Sequence, residues 1–259
     1  MTLHKTCRLP TFIIGGAPRS GTTFLCHVLD RHPDVYMAKP YAPEPKICLK
    51  SCAEGIDGYR QQYHDLFSHA ENANALGEKS SAYLENKEAF DRLRKVFNDN
   101  MRFLFIVREP VQRAFSNYVR SFNNGLETLS FAEAVKLEGK RKDPFPPEQS
   151  YVRPFDYLLR GDYATFAERY YSAFGRNNVK FVLFENILLN PDQFYRDIQS
   201  FIQVDPLPRS ALEIAPVNAS DKTAIHLDST LEAELREYMH PKVVQFAQLA
   251  GLDIDVWGY

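Results

Sequence analysis

The residues of this 259-residue chain best suited to chemistry begin at Gly16-Ala-Pro-Arg-Ser-Gly21-Thr-Thr23. Two glycines five positions apart, followed by hydroxyl residues, let backbone N–H groups converge on an anion at a helix N-terminus. This is nearly the phosphate loop of nucleotide enzymes. The lysine that reaches the β- and γ-phosphates in kinases is replaced here by Thr22, and the nearby cation is Arg19, three residues earlier. Such a loop is poorly equipped for a triphosphate and its magnesium ion. It suits one phosphate-like group, with backbone amides, the Thr22 and Thr23 hydroxyls and Arg19 as donors. The plain alternative is a tight turn between a strand and a helix.

A second cation stands where it can share that site. Arg108 falls just past Arg102-Phe-Leu-Phe-Ile-Val107, and Ser116 follows eight residues later, behind Pro110. In a parallel sheet the carboxyl ends of the strands face a common crevice where ligands bind. Two separated anion sites on one edge point to a nucleotide with phosphates at both ends of its ribose. For Arg108 the alternative is a surface salt bridge with Glu109 or another neighbour.

The elements that position these residues read as alternating strands and helices. Thr11–Gly15 and Val179–Phe184 are short β-branched and aromatic runs, and Arg102–Val107 is apolar on both faces, as in a sheet covered by helices on each side. Helices are expected from Thr22 to near His32-Pro33, and over Gly58–Phe67, Asn86–Phe97, Val111–Phe122, Tyr163–Phe174 and Leu231–Leu249. Another runs from Asn190-Pro-Asp-Gln193 to Ile202, and Ser130-Phe-Ala-Glu133 has the spacing of a capping box opening a short one. Leu76–Ser80 reads as a strand end, Ala38–Cys52 as a loop, Val204–Ala219 as irregular, and Gly139–Pro154, basic and rich in proline, as a candidate lid or a solvated insertion. The pattern implies an α/β fold: one domain over 1–259, its core about 11–250, with a central parallel sheet flanked by helices and a P-loop-like phosphate-binding turn.

Composition bounds the possibilities. With 31 Lys+Arg against 33 Asp+Glu the net charge is −2, which excludes a protein that works by broad neutralisation of nucleic-acid phosphates. No apolar run approaches the roughly 18 residues of a membrane span, and no signal-peptide pattern follows Lys5 and Arg8. Cys7, Cys26, Cys48 and Cys52 contain no C-x-x-C pair and read as reduced thiols of a cytoplasmic protein.

Ala17-Pro-Arg-Ser-Gly-Thr-Thr23 resembles the 5′-phosphosulfate loop of sulfotransferases that use 3′-phosphoadenosine 5′-phosphosulfate (PAPS), and Val107–Tyr118 resembles their 3′-phosphate motif. His32-Pro-Asp-Val35, Gly77-Glu-Lys-Ser-Ser-Ala-Tyr83, Gly161-Asp-Tyr163, Phe184-Glu185 and Asn190-Pro-Asp192 follow in the family's order. The similarity runs from about Phe12 to Asn218 and is strongest to the heparan-sulfate-type branch and its bacterial relatives. Pro18–Thr23 is also similar to the loop of protein-tyrosine sulfotransferases.

The resemblance implies PAPS as sulfuryl donor, 3′-phosphoadenosine 5′-phosphate (PAP) as product, no metal, and in-line transfer to a hydroxyl. Ser20, Gly21, Thr22 and Thr23 would cradle the phosphosulfate, with Arg19 and Lys79 supplying charge at the reaction centre, and Arg108 and Ser116 would hold the 3′-phosphate. Lys222 is a further candidate near the nucleotide, or a solvent-facing lysine; for Lys79 the alternative is a salt bridge with Glu78 or Glu85. Relatives carry a catalytic glutamate after the His-Pro-x-Val segment, commonly followed by proline, and Pro43-Glu-Pro-Lys46 nominates Glu44 as the base. Where relatives often have His and two aromatic residues next, this chain has Lys46, Ile47 and Cys48, so their substrates do not carry over. Lys46 either orients the acceptor or the sulfuryl group or faces water. His27 and His32 are rival bases in principle, read as helix packing and helix termination, and Arg113 and Arg120 are read as structural pairs. The expected acceptor is a small-molecule alcohol, such as a secondary metabolite, or a saccharide. The competing readings are a small-molecule kinase, which would carry Lys at position 22, and a non-catalytic module that binds the adenosine bisphosphate. Oligomeric state is not legible.

Overall fold

A computed structural model describes residues 8–70, 72–97, 100–212 and 225–259. The chain enters through β1 (Phe12–Gly16), turns through the phosphate loop into α1 (Thr22–Leu29), and continues with β2 (Val35–Met37), α2 (Gly55–Phe67), β3 (Ala75–Lys79) and α3 (Lys87–Val96). Then come β4 (Arg102–Val107), α4 (Pro110–Asn123), α5 (Phe131–Lys136), α6 (Tyr163–Phe174) and β5 (Val179–Leu183). α7 (Asn186–Leu189), α8 (Pro191–Ile202), α9 (Arg209–Leu212) and α10 (Ser229–Ala250) complete the described order.

The strands form one parallel sheet in the order β2-β3-β1-β4-β5. Order reverses at β1: the chain crosses from β1 to the edge at β2, returns as β3 to lie beside β1, and then crosses to β4 and β5 on the other side. A reversal of this kind opens a crevice beyond the carboxyl ends of the strands. The loops after β1, β3 and β4 therefore meet on one edge. The β1–β4 register shifts between Ile14 and Gly16, where β1 leaves the sheet for the phosphate loop.

Strand periodicity divides the core. Phe103, Phe105 and Val107 pack with Phe90, Val111, Tyr170 and Phe246 on one face, while Leu104 and Ile106 pack with Leu25, Val28, Phe194 and Ile198 on the other. Burial on both faces explains why β4 is apolar throughout, as its sequence leads one to expect.

Most helix ends follow their caps. Asn86 accepts the Ala89 N–H at 2.7 Å, Ser130 and Glu133 complete a capping box, and Asp228 accepts the Leu231 N–H at 2.9 Å. This last cap starts α10 at Ser229, two residues before the expected Leu231, and the helix continues through Pro241 to Ala250. α1 ends at Leu29, before the His32-Pro33 signal, and α2 begins at Gly55 rather than Gly58. β2, absent from the sequence reading, has only three residues and forms because β3 supplies a partner edge. Short 3-10 helices also form over Ile47–Leu49 and Pro147–Val152, and α9 interrupts the stretch read as irregular.

Candidate active site

The phosphate loop owes its shape to backbone that only some residues tolerate. Arg19 and Gly21 both have left-handed φ, 69° and 79°, and Gly21 starts α1 without a side-chain cap, so the first-turn amides remain open toward the crevice. A Cβ on Gly21 would lie 2.7 Å from the Phe184 ring, and one on Gly16 would lie 2.7 Å from Leu84 Cβ. Glycine is thus required at both ends for close approach, and at Gly21 for conformation as well. Ser20 Oγ is buried and lacks a hydrogen-bond partner among the described residues. An orphaned hydroxyl beside free amides is what a bound anion would satisfy.

Lys79, at the end of β3, joins this loop to the candidate base. Its ammonium donates to Thr23 Oγ1 at 3.0 Å and pairs with Glu44 Oε1 at 3.2 Å. Ser81 donates from its hydroxyl to Glu44 Oε1 at 2.8 Å and from its backbone N–H to Oε2 at 3.2 Å. Neither alternative partner for Lys79 is used. Strand alternation sends Glu78 to the opposite face, and Glu85 pairs instead with Arg160 at 2.6 Å. The carboxylate of Glu44 is therefore oriented by three donors at the mouth of a cavity of about 720 Å³. Arg19, Lys46, Asn117, Arg120 and Tyr151 also line it, and Glu44 is the one acidic residue among the described lining.

Across the crevice, Arg19 Nε donates to Ser116 Oγ at 3.2 Å, which ties the phosphate loop to α4. Arg108 lies with its guanidinium 5.3 Å from the centroid of the Phe184 ring, the ring that packs on Gly21. Burial foremost, then the charges of Arg120, Arg108 and Arg113, pulls Arg19 down to about 10. Crowded, partly desolvated guanidinium groups are relieved by an anion. Arg120 is four residues from Ser116 on the same helix face and stands in the cleft wall with no ion pair among the described residues, so it is not the structural pair expected. Arg113 is structural: it is fully buried and donates to the Tyr157 carbonyl.

Lys46 Nζ stands 4.8 Å from the Tyr151 ring centroid, so it faces an aromatic rather than open water, and the Pro-rich stretch reaches the cleft through that tyrosine. The rival histidines stand aside from the proton-transfer geometry. His27 packs edge-on against Tyr41, and His32 is buried, held by the Asp205 carbonyl at 2.8 Å and the Asp34 N–H at 3.1 Å. Lys222 and Cys7 lie outside the described residues. Cys26, Cys48 and Cys52 are free thiols, and burial pushes Cys26 and Cys48 up to about 12. Among the described residues no group of His, Cys, Asp or Glu is arranged to hold a metal, and no helix is long and apolar enough to cross a membrane.

Several supporting residues escape a sequence reading. Ser81 follows directly on the lysine motif, but nothing in its type marks it as a ligand of Glu44. Glu78 is fully buried behind the site, accepting from the Ser80 hydroxyl and from Tyr63 OH at 3.4 Å. Burial foremost, with the Glu44 charge, pushes it up to about 8 against the pull of the Ser80 hydrogen bond. Ser80 Oγ in turn accepts the Lys46 N–H at 2.9 Å, so Glu78 braces the loop carrying Glu44. Asp30, at the end of α1, holds the other side of that loop through the Tyr41 hydroxyl and through Lys39 at 2.7 Å.

The chain is similar to known proteins in sequence and in fold. The chain is 27% identical over 195 residues to mouse heparan sulfate glucosamine 3-O-sulfotransferase 3B1, covering 75% of this chain and 46% of that one, so it spans about half the length of this curated relative. A crystal structure of a sulfotransferase from Alicyclobacillus acidocaldarius superposes with a TM-score of 0.76 at 29% identity, over 97% of this chain and all of that one. A mouse sulfotransferase complexed with PAP, SULT7A1, shares the fold at 18% identity and a TM-score of 0.50, over 79% of this chain and 61% of its own. The sulfotransferase domain model matches residues 9–216, which include the phosphate loop, Glu44, Lys79 and the Arg108–Ser116 pair. The chain belongs to the sulfotransferase domain family and has the α/β fold its motifs imply.

Proposed function

We propose that this sulfotransferase moves a sulfuryl group from PAPS to a hydroxyl of a small-molecule or saccharide acceptor, with Glu44 as the general base. The observation that carries the reading is the Lys79 ammonium, 3.0 Å from Thr23 and 3.2 Å from Glu44. One cation connects the anion-binding loop to the one acid described in the adjoining cleft. The likeness to a PAP-complexed enzyme and to a glucosamine 3-O-sulfotransferase supports the donor and a hydroxyl acceptor.

PAPS, when bound, supplies an activated sulfur–oxygen bond and a 5′-phosphate leaving group. The open amides of the loop and the Ser20, Thr22 and Thr23 hydroxyls bind its phosphosulfate, while Arg108 and Ser116 bind the 3′-phosphate. Glu44 takes the proton of the acceptor hydroxyl, so that its oxygen attacks in line. Lys79 and Arg19 offset charge on the transferring and leaving oxygens, which in a partly dry cleft is worth more than in water.

Calorimetric titration with adenosine 3′,5′-bisphosphate and with ATP–magnesium tests the donor. Binding of the bisphosphate with little for ATP is expected, because Thr22 stands in place of the kinase lysine; the reverse order overturns the reading. Incubation with PAPS and metabolite extracts, scored for compounds gaining one sulfate, identifies the acceptor. Bisphosphate binding without any turnover would leave a binding module instead.

A further inference from the structure

Arg108 has no carboxylate partner among the described residues, although two carboxylates flank it. Its chain neighbour is Glu109, and Glu185 follows the very Phe184 ring on which its guanidinium rests. An arginine in that position would ordinarily pair with one of them. Both are engaged elsewhere, and by uncharged donors. Glu109 accepts the Val111 and Gln112 N–H groups at 3.1 and 2.6 Å and the Tyr259 hydroxyl at 2.7 Å. Glu185 accepts the Glu109 N–H at 3.1 Å and the Trp257 indole N–H at 2.8 Å.

The two distant donors are themselves held in place. Trp257 is 2% exposed, with its ring stacked at 15° to Phe246 and tilted against Tyr163. The Tyr259 ring stacks with His240, and the Arg236 guanidinium lies 4.8 Å from its centroid. Burial, with the Glu109 charge, pushes the Tyr259 phenol well up, so it remains a donor. Neither residue lines the cleft. A carboxylate released from such a donor would turn toward the nearest cation, and an Arg–carboxylate pair competes with any phosphate for the same guanidinium.

We propose that Trp257 and Tyr259 are positioning residues of the 3′-phosphate subsite: by holding the carboxylates of Glu185 and Glu109 they keep Arg108 free for the nucleotide. This rests on the reading of Arg108 as the contact of the 3′-phosphate.

Calorimetric titration of wild type, Trp257→Phe and Trp257→Phe/Glu185→Gln with adenosine 3′,5′-bisphosphate and with AMP, which lacks the 3′-phosphate, tests it. Trp257→Phe keeps an aromatic ring but removes the indole donor. It should weaken bisphosphate binding about tenfold while leaving AMP within about twofold, the scale of one charge-assisted hydrogen bond. Adding Glu185→Gln should restore the bisphosphate affinity, because an amide cannot pair with the guanidinium as an anion. Should Trp257→Phe fail to fold in a thermal melt, Tyr259→Phe, which removes one hydroxyl, carries the same test and should weaken the bisphosphate about threefold with AMP unchanged. Equal losses for both ligands, or no rescue by Glu185→Gln, would mean that the indole only supports the fold, and would overturn the proposal. Wild type binding AMP as tightly as the bisphosphate would instead remove Arg108 from the 3′-phosphate, and this inference with it.

Discussion

The loop at Gly16–Thr23 and the corner at Arg108 follow the carboxyl ends of two neighbouring strands, β1 and β4, but they are assembled from different ranges of the chain. The loop is contiguous: its concavity comes from the left-handed φ of Arg19 and Gly21, from the uncapped start of α1, and from a buried serine within it. The Arg108 corner is composite. Its carboxylates are oriented by contacts 72 and 150 residues apart in sequence, from Trp257 to Glu185 and from Tyr259 to Glu109. A contiguous site carries its geometry in local dihedral preferences, so distant substitutions should spare it. A composite site depends on where packing delivers side chains, and damage far from the ligand should reach it.

Glu44 is held by Lys79 and Ser81 and is part of neither, so its loss should separate catalysis from both. Glu44→Gln is expected to lower kcat by about 10²- to 10⁴-fold, as removal of a general base does, with the Kd for adenosine 3′,5′-bisphosphate unchanged. Unchanged turnover would remove Glu44 from the role of base.

The next effect is on stability. Glu78 is fully buried, and its carboxyl is raised from the ordinary 4.5 to about 8, so the folded state holds a proton that the unfolded state releases earlier. Stability should therefore fall as pH rises from about 4.5 to about 8 and level off above that window. Denaturant unfolding at pH 5 and pH 8.5 should show Glu78→Gln gaining on wild type by on the order of a few kcal/mol between the two. No difference in slope would show that Glu78 ionises normally.

Binding variants then test the contrast between the halves directly. Gly21→Ala places a Cβ 2.7 Å from Phe184 in a left-handed backbone, and strain plus overpacking should weaken AMP and bisphosphate alike by about a hundredfold. Arg108→Ala should weaken the bisphosphate by about thirtyfold and leave AMP nearly unchanged. If Arg108→Ala affected both ligands equally, the two halves would not be separate subsites.

Much of this was legible in the residues. β4 and α6 coincide with their expected bounds, because a doubly buried strand is apolar throughout and α6 starts at its Asp162 cap and stops before Gly175. The phosphate loop, Lys79 and Glu44, singled out from the sequence, lie together and are linked through the Lys79 ammonium. What escaped were short elements and side-chain partners. β2 is too brief to show a period and exists because β3 lies beside it. Arg120 reads as one more helix charge, yet it lines the cleft because it shares a helix face with Asn117 and Asn123, which line it too. Glu78 and Lys79 are adjacent letters, both buried on opposite faces of β3, and only the fold decides that one meets Ser80 and Tyr63 and the other Thr23 and Glu44.

The sequence by itself determined the longer strands and helices, the glycine-bounded loop after β1 and the family, since each is written in residues whose dihedral and burial preferences act locally. The tertiary structure alone decided that Lys79 pairs with Glu44 rather than Glu85, that Ser81 orients Glu44, and that Trp257 and Tyr259 take up the acids beside Arg108. Those choices are settled by competition among donors and acceptors brought together by packing, and separation along the chain carries no record of who wins.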